Sequence, residues 1–86
     1  MIRKKNYILV IQFGEDGVSN GAFDFETDDD AEAERVYNFY LDSVKRHSKR
    51  SPRWSWTVSW NEYGTDEDGY LTEERKRFEV VKKEVA

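Results

Sequence analysis

The run Trp54-Ser55-Trp56-Thr57-Val58-Ser59-Trp60 constrains this chain more than any other stretch. Large apolar residues take every second position, and small hydroxyl residues fall between them. That period is the mark of a β-strand with one buried and one wetter face. All three tryptophans lie in the run, so the alternation predicts that they share the buried face. A single tryptophan buries on the order of 200 Å². Such a face needs a cover, and a helix predicted at about residues 28–49 is the element long enough to supply it.

Upstream, Tyr7 to Phe13 is apolar at nearly every position, which predicts a strand in the interior of a sheet. Tyr7, Leu9, Ile11 and Phe13 point one way, and Ile8 and Val10 the other. Residues 14–21 are rich in Gly, Asn, Asp and Ser, a loose connection to a second strand in which Phe23 and Phe25 alternate with Asp24 and Glu26. Thr27 then reads as a helix N-cap, with Asp30 completing a partial capping box. Ala33, Val36, Tyr37, Tyr40, Leu41 and Val44 recur at helical spacing and form one apolar face. Phe39 lies off that stripe and is expected to be partly exposed. Ser51-Pro52 should end the helix, because proline disfavours helical geometry in the residue before it.

The last third has the composition of a helix, with Thr72 as cap and Leu71, Phe78, Val81 and Val85 as a stripe. A hairpin accounts for it better. With Glu67, Asp68 and Gly69 as the loop, and Gly69 at the left-handed position of a bulge, Asp66 opposes Tyr70. Counting outward, Asn61 meets Arg75, Trp60 meets Lys76, Val58 meets Phe78 and Trp56 meets Val80. Apolar sides then coincide, and a one-residue slip destroys the agreement. Residues 82–86 are expected to fray. The fold class that follows is α+β: a four-stranded antiparallel sheet in β-β-α-β-β order, with one long helix packed across one face. Ile8, Val10, Leu71 and Val81 are expected on the face away from the helix.

At 86 residues the chain suffices for one small domain, residues 1–86. Its lack of cysteine excludes disulfides and thiolate zinc sites. The basic start and short apolar run of residues 1–13 lack a signal-peptide cleavage site, and nothing approaches a membrane span. A soluble, cytoplasmic protein without membrane contact is expected. Enzyme chemistry finds little to work with. His47 is the sole histidine, and the nucleophile-elbow, Walker A and dinucleotide motifs are absent. Aligning Asp66 to Gly69 with an EF-hand loop leaves Gly64 and Arg75 where carboxylates are required. No cofactor or metal is therefore expected.

The net charge of −4 hides a segregated pattern. Residues 15–34 hold nine acids and no base, residues 45–53 hold five bases and no acid, and residues 62–74 hold six acids. The acidic turns, with Glu15, Asp16, Asp28, Asp29, Asp30, Asp66, Glu67 and Asp68, form the first candidate surface. If the hairpin tips and the helix start converge, they steer the domain to a basic protein groove, with Phe39 as a nearby aromatic contact. Lys45, Arg46, Lys49, Arg50 and Arg53 beside Trp54 form the second, an alternative nucleic-acid contact. The open sheet face is the third, suited to a protein partner or a homodimer. In size, composition and acidic turns the chain resembles the small, acidic, cysteine-free domains encoded by bacteriophages and mobile elements. Some of those, anti-CRISPR proteins among them, block host machinery by occupying nucleic-acid sites. The resemblance implies a non-enzymatic inhibitor that acts by binding a protein.

Overall fold

A computed structural model describes residues 4–50 and 53–82. Four strands and one helix follow in the order β1 (Lys4–Phe13), β2 (Ser19–Thr27), α1 (Asp30–Arg50), β3 (Ser55–Thr65) and β4 (Leu71–Lys82). The strands form one antiparallel sheet in the order β2-β1-β3-β4. Apolar on both sides, β1 takes an interior position as expected, paired with β2 and β3. The predicted Ser51-Pro52 stop and the fraying of residues 83–86 lie outside the described residues. Lys82, at the edge of that tail, pairs with Ser55.

The two hairpin turns share one construction. In each, a Glu-Asp-Gly triplet bridges two strands, and the glycine adopts positive φ, +81° at Gly17 and +83° at Gly69. Such backbone strains any side chain bearing a Cβ. In the first turn the Gly14 N–H donates to Val18 O at 2.9 Å and the Gly17 N–H to Gly14 O at 3.0 Å. The second repeats this with Asp66 and Tyr70 at 2.9 Å and Gly69 and Asp66 at 3.1 Å. The 67–69 loop is thus as predicted, whereas the first connection is compact rather than loose.

Helix α1 begins later than expected. Asp29, not Thr27, is the cap: its Oδ1 accepts the N–H groups of Ala31 (2.9 Å) and Glu32 (3.2 Å). Thr27 instead accepts the Asp29 N–H at 3.1 Å, tightening the strand-to-helix link. The predicted stripe is the packed face, with Ala33, Val36, Tyr37, Leu41 and Val44 buried and Tyr40 partly so. It covers Ile8, Trp56, Val58, Trp60 and Val81.

Two face assignments differ from expectation. Trp60 pairs with Arg77 and Asn61 with Arg75, so Lys76 is an extra residue bulged out of β4. Below the bulge the predicted register holds. Above it every partner moves by one: Trp56 meets Val81, Thr57 meets Val80, and Ser59 meets Phe78. Val81 therefore enters the core, and Phe78 and Val80 face away from the helix. On β1, Ile8 and Val10 pair with Trp60 and Val58 on the helix side, so Tyr7, Leu9, Ile11 and Phe13 line the open face. Apolar bulk summed over the sheet decides this, because Phe23, Phe25 and the tryptophan row share the side of Ile8 and Val10. Trp54 precedes β3 and is 41% exposed, so only two tryptophans enter the core.

Val81→Ala should lower stability by about 1–3 kcal/mol in urea unfolding, through the void left beside Trp56. In an uninterrupted register Val81 faces water, and the loss would stay under about 0.5 kcal/mol.

Candidate functional site

The topology sorts the acidic candidates into two groups. The helix start follows the end of β2, where Thr27 pairs with Asn6 and Asn6 with Glu62. The β3–β4 turn lies at that same end, and Asp28 shares a cleft with Lys4, Lys5, Tyr63, Gly64, Thr65 and Leu71. Asp28, Asp29, Asp30, Asp66, Glu67 and Asp68 therefore gather at one end of a body about 50 Å long. Glu15 and Asp16 do not join them. They sit in the β1–β2 turn at the far end, in a cleft shared with Trp54.

Several of these carboxylates serve the backbone. Asp29 caps the helix. Asp30 accepts the Asn6 amide at 2.9 Å. Asp66 Oδ1 accepts the N–H groups of Asp68 and Tyr70, both at 2.9 Å, and Asp16 accepts that of Val18 at 3.1 Å. Among the described residues no three acidic or imidazole side chains converge as a metal set. Phe39 is 61% exposed, as expected, and its ring meets Tyr40 edge-on at 5.6 Å on the helix rather than near the acidic turns.

The basic segment occupies the last turns of α1 and the residues after it, at the far end. Lys45 approaches Glu79 at 3.9 Å, and Arg46 donates to Ser43 at 3.3 Å. Lys49, Arg50 and Arg53 are exposed. Trp54 stands beside them, but so do Glu15 and Asp16.

The open sheet face is organised in rows across the four strands. One row reads Glu26, Tyr7, Asn61, Arg75. The next on this face reads Asp24, Leu9, Ser59, Phe78, and the third Ala22, Ile11, Thr57, Val80. Phe78 is 44% exposed and Val80 57%, with Leu9, Ile11 and Phe13 half-buried between their neighbours. The β2 side of the face is acidic. Tyr7 donates its hydroxyl to Asp24 at 3.1 Å, and Glu26 lies 3.6 Å from Lys5. Arg75 rests over the Phe78 ring at 4.7 Å on the β4 side. Burial, and then the Asp24 carboxylate, hold the Tyr7 hydroxyl above the ordinary tyrosine range. Burial and the nearby Glu26 do the same for Tyr63. The alternation in the sequence predicts Ile8, Val10, Leu71 and Val81 on this face. Of these only Leu71 lies on it, paired with Thr65 in the row beyond Tyr63.

One polar group of the predicted stripe has no signal in the sequence, the Tyr37 hydroxyl. Tyr37 is fully buried against Trp60, and its hydroxyl has no hydrogen-bond partner among the described residues. Burial, and then the Glu79 carboxylate, push its pKa above 10.0, while Arg77 opposes them. A raised folded pKa contributes stability that is complete below pH 10 and is lost as pH rises through the folded value. Tyr37→Phe should leave stability near pH 7 unchanged or higher by about 1 kcal/mol. It should also make the loss above pH 10 shallower in unfolding curves recorded across alkaline pH. Tyr7 and Tyr63 keep some of that loss.

No helix among the described residues is long and apolar enough to cross a membrane. Comparisons with protein-family models, with curated proteins and with solved structures gave no match to this chain.

Proposed function

We propose that this chain is a non-enzymatic protein-binding domain whose contact surface is the open sheet face. One observation carries the reading: the more apolar side of β1 is the uncovered one. Helix α1 covers the side with Asn6, Ile8, Val10 and Gln12, while Tyr7, Leu9, Ile11 and Phe13 face outward beside Phe78 and Val80. Apolar surface removed from water gains about 25 cal/mol per Å², so a flat partner surface that covers this face gains from each of these side chains. The partner's own chemistry is apolar at the centre with charges at the edges. The acidic end, where Asp28, Glu67 and Asp68 accept no backbone N–H among the described residues, steers a basic partner and adds little contact area. An inhibitor of the phage or mobile-element type, held on a basic surface by those turns, is the narrower form of this reading.

Exposure of Trp54 favours a second reading, in which Lys49, Arg50 and Arg53 hold nucleic-acid phosphates and the indole stacks on a base. The acids beside Trp54 oppose it.

Tagged protein used as bait in extract of its native host should retain a polypeptide, a second copy of this chain included. Ile11→Glu should reduce that capture at least tenfold, and Glu67→Lys with Asp68→Lys should weaken it only at low salt. Capture lost to the acidic substitutions and kept by Ile11→Glu transfers the contact to the turns. Mixed DNA or RNA should show no micromolar binding at physiological salt in fluorescence anisotropy. Binding that appears there and vanishes when Lys45, Arg46, Lys49 and Arg50 are changed to Glu assigns the function to the basic segment.

A further inference from the structure

The geometry points to a second copy of this chain as the occupant of the open sheet face, a step that rests on the binding reading above. Two copies stack face to face about a two-fold axis that runs along the strands between β1 and β3. The face is self-complementary under that operation in charge and in size. Rotation lays β2 of one copy over β4 of the other and keeps each row at its own height. Glu26 of one copy then meets Arg75 of the other, because both belong to the same row. Asp24 of one copy falls over Phe78 of the other, where its own Tyr7 hydroxyl and the Arg75 stacked on that ring face its charge, and Glu73 of one copy falls one strand from Lys5 of the other. Large residues meet small ones: Leu9 over Ser59, Ile11 over Thr57, and Val80 over Ala22. A two-fold axis across the strands does the reverse, setting the acidic β2 over itself and the bulky side of β1 over itself. The pattern therefore selects one isologous dimer, an aligned sandwich of two sheets about 10 Å apart with the helices outside.

The area is adequate. Four strands spaced about 4.8 Å apart, over about 30 Å of length, give a footprint of roughly 600 Å² per copy. Two copies bury about 1,200 Å², the lower end of the range for specific interfaces.

The test is the mass of the full chain by light scattering and sedimentation equilibrium. The wild type should reach twice the chain mass at concentrations up to about 100 μM, which corresponds to moderate affinity. Val80→Glu and Ile11→Glu should each return it to the chain mass. Glu26→Arg and Arg75→Glu should each weaken association at least tenfold. Their equimolar mixture should recover it. In the mixed dimer both contacts again join opposite charges, one of them native and the other with its two signs exchanged. The doubly exchanged variant should recover association as well. If Ile11→Glu loses its folded circular dichroism, Val80→Glu carries the comparison, its site being 57% exposed. A wild type at the chain mass up to about 0.5 mM, a concentration well above the expected affinity range, overturns the proposal, and so does a mixture no better than its components. A monomer that still captures a host protein through Val80 overturns the dimer alone. A monomer that captures nothing overturns the binding reading with it.

Discussion

The fold turns on the demand of one buried indole for an acceptor. Trp60 is 8% exposed, and its ring N–H cannot be left unpaired there without a cost of about 1–3 kcal/mol. The Asn6 Oδ1 accepts it at 2.9 Å, and the Asn6 amide passes the obligation on by donating to Asp30 at 2.9 Å. Three elements, β3, β1 and the first turn of α1, are thereby joined through a side chain that is itself 1% exposed. Asp30 sits at the positive end of the helix dipole, which favours its charge as well. The junction fixes where the helix starts above the sheet. From that point its apolar stripe runs along the row of Trp60, Val58 and Trp56.

Those same requirements explain what was legible in the amino-acid sequence. Alternation in residues 54–60, helical spacing in 33–44 and the glycine of the second turn each depend on neighbours close along the chain, and each led to the right element. The Lys76 bulge does not. Val80 and Val81 stand side by side, so the local pattern fits the core equally well with either facing in. The choice is made by Trp56 and the helix across the sheet. Strand β1 poses the same problem, because a segment apolar on both sides carries no phase. Capping was obscured by three consecutive aspartates, of which only one reaches the free N–H groups. The candidate site was legible as residue types and not as a surface. Asp29 and Asp66 read as free charge, yet they are occupied by backbone amides, and Asp30 binds the Asn6 side chain instead of closing a capping box. The open face depended on the bulge, which no local pattern marks.

Charge and shape are distributed along different directions of the body. Acids gather at the helix start and bases at the helix end, so the long axis is polar. Across the sheet, the polarity runs from Asp24 and Glu26 on β2 to Arg75 and Lys82 on β4. The first arrangement follows the helix dipole and carries its own structural reason. The second rests on local contacts of the uncovered face, Tyr7 to Asp24, Lys5 to Glu26 and Arg75 over Phe78.

Both outer strands carry an interruption, Asn20 in β2 and Lys76 in β4. An unbroken outer strand offers its free N–H and C=O groups to any passing chain and invites endless lateral growth. Here Lys76 breaks that template in the middle of β4, and Asn20 shortens it at the start of β2. Growth by added strands is thus restrained most at the β4 border, and the largest apolar surface left to water points along the sheet normal instead of along its edges.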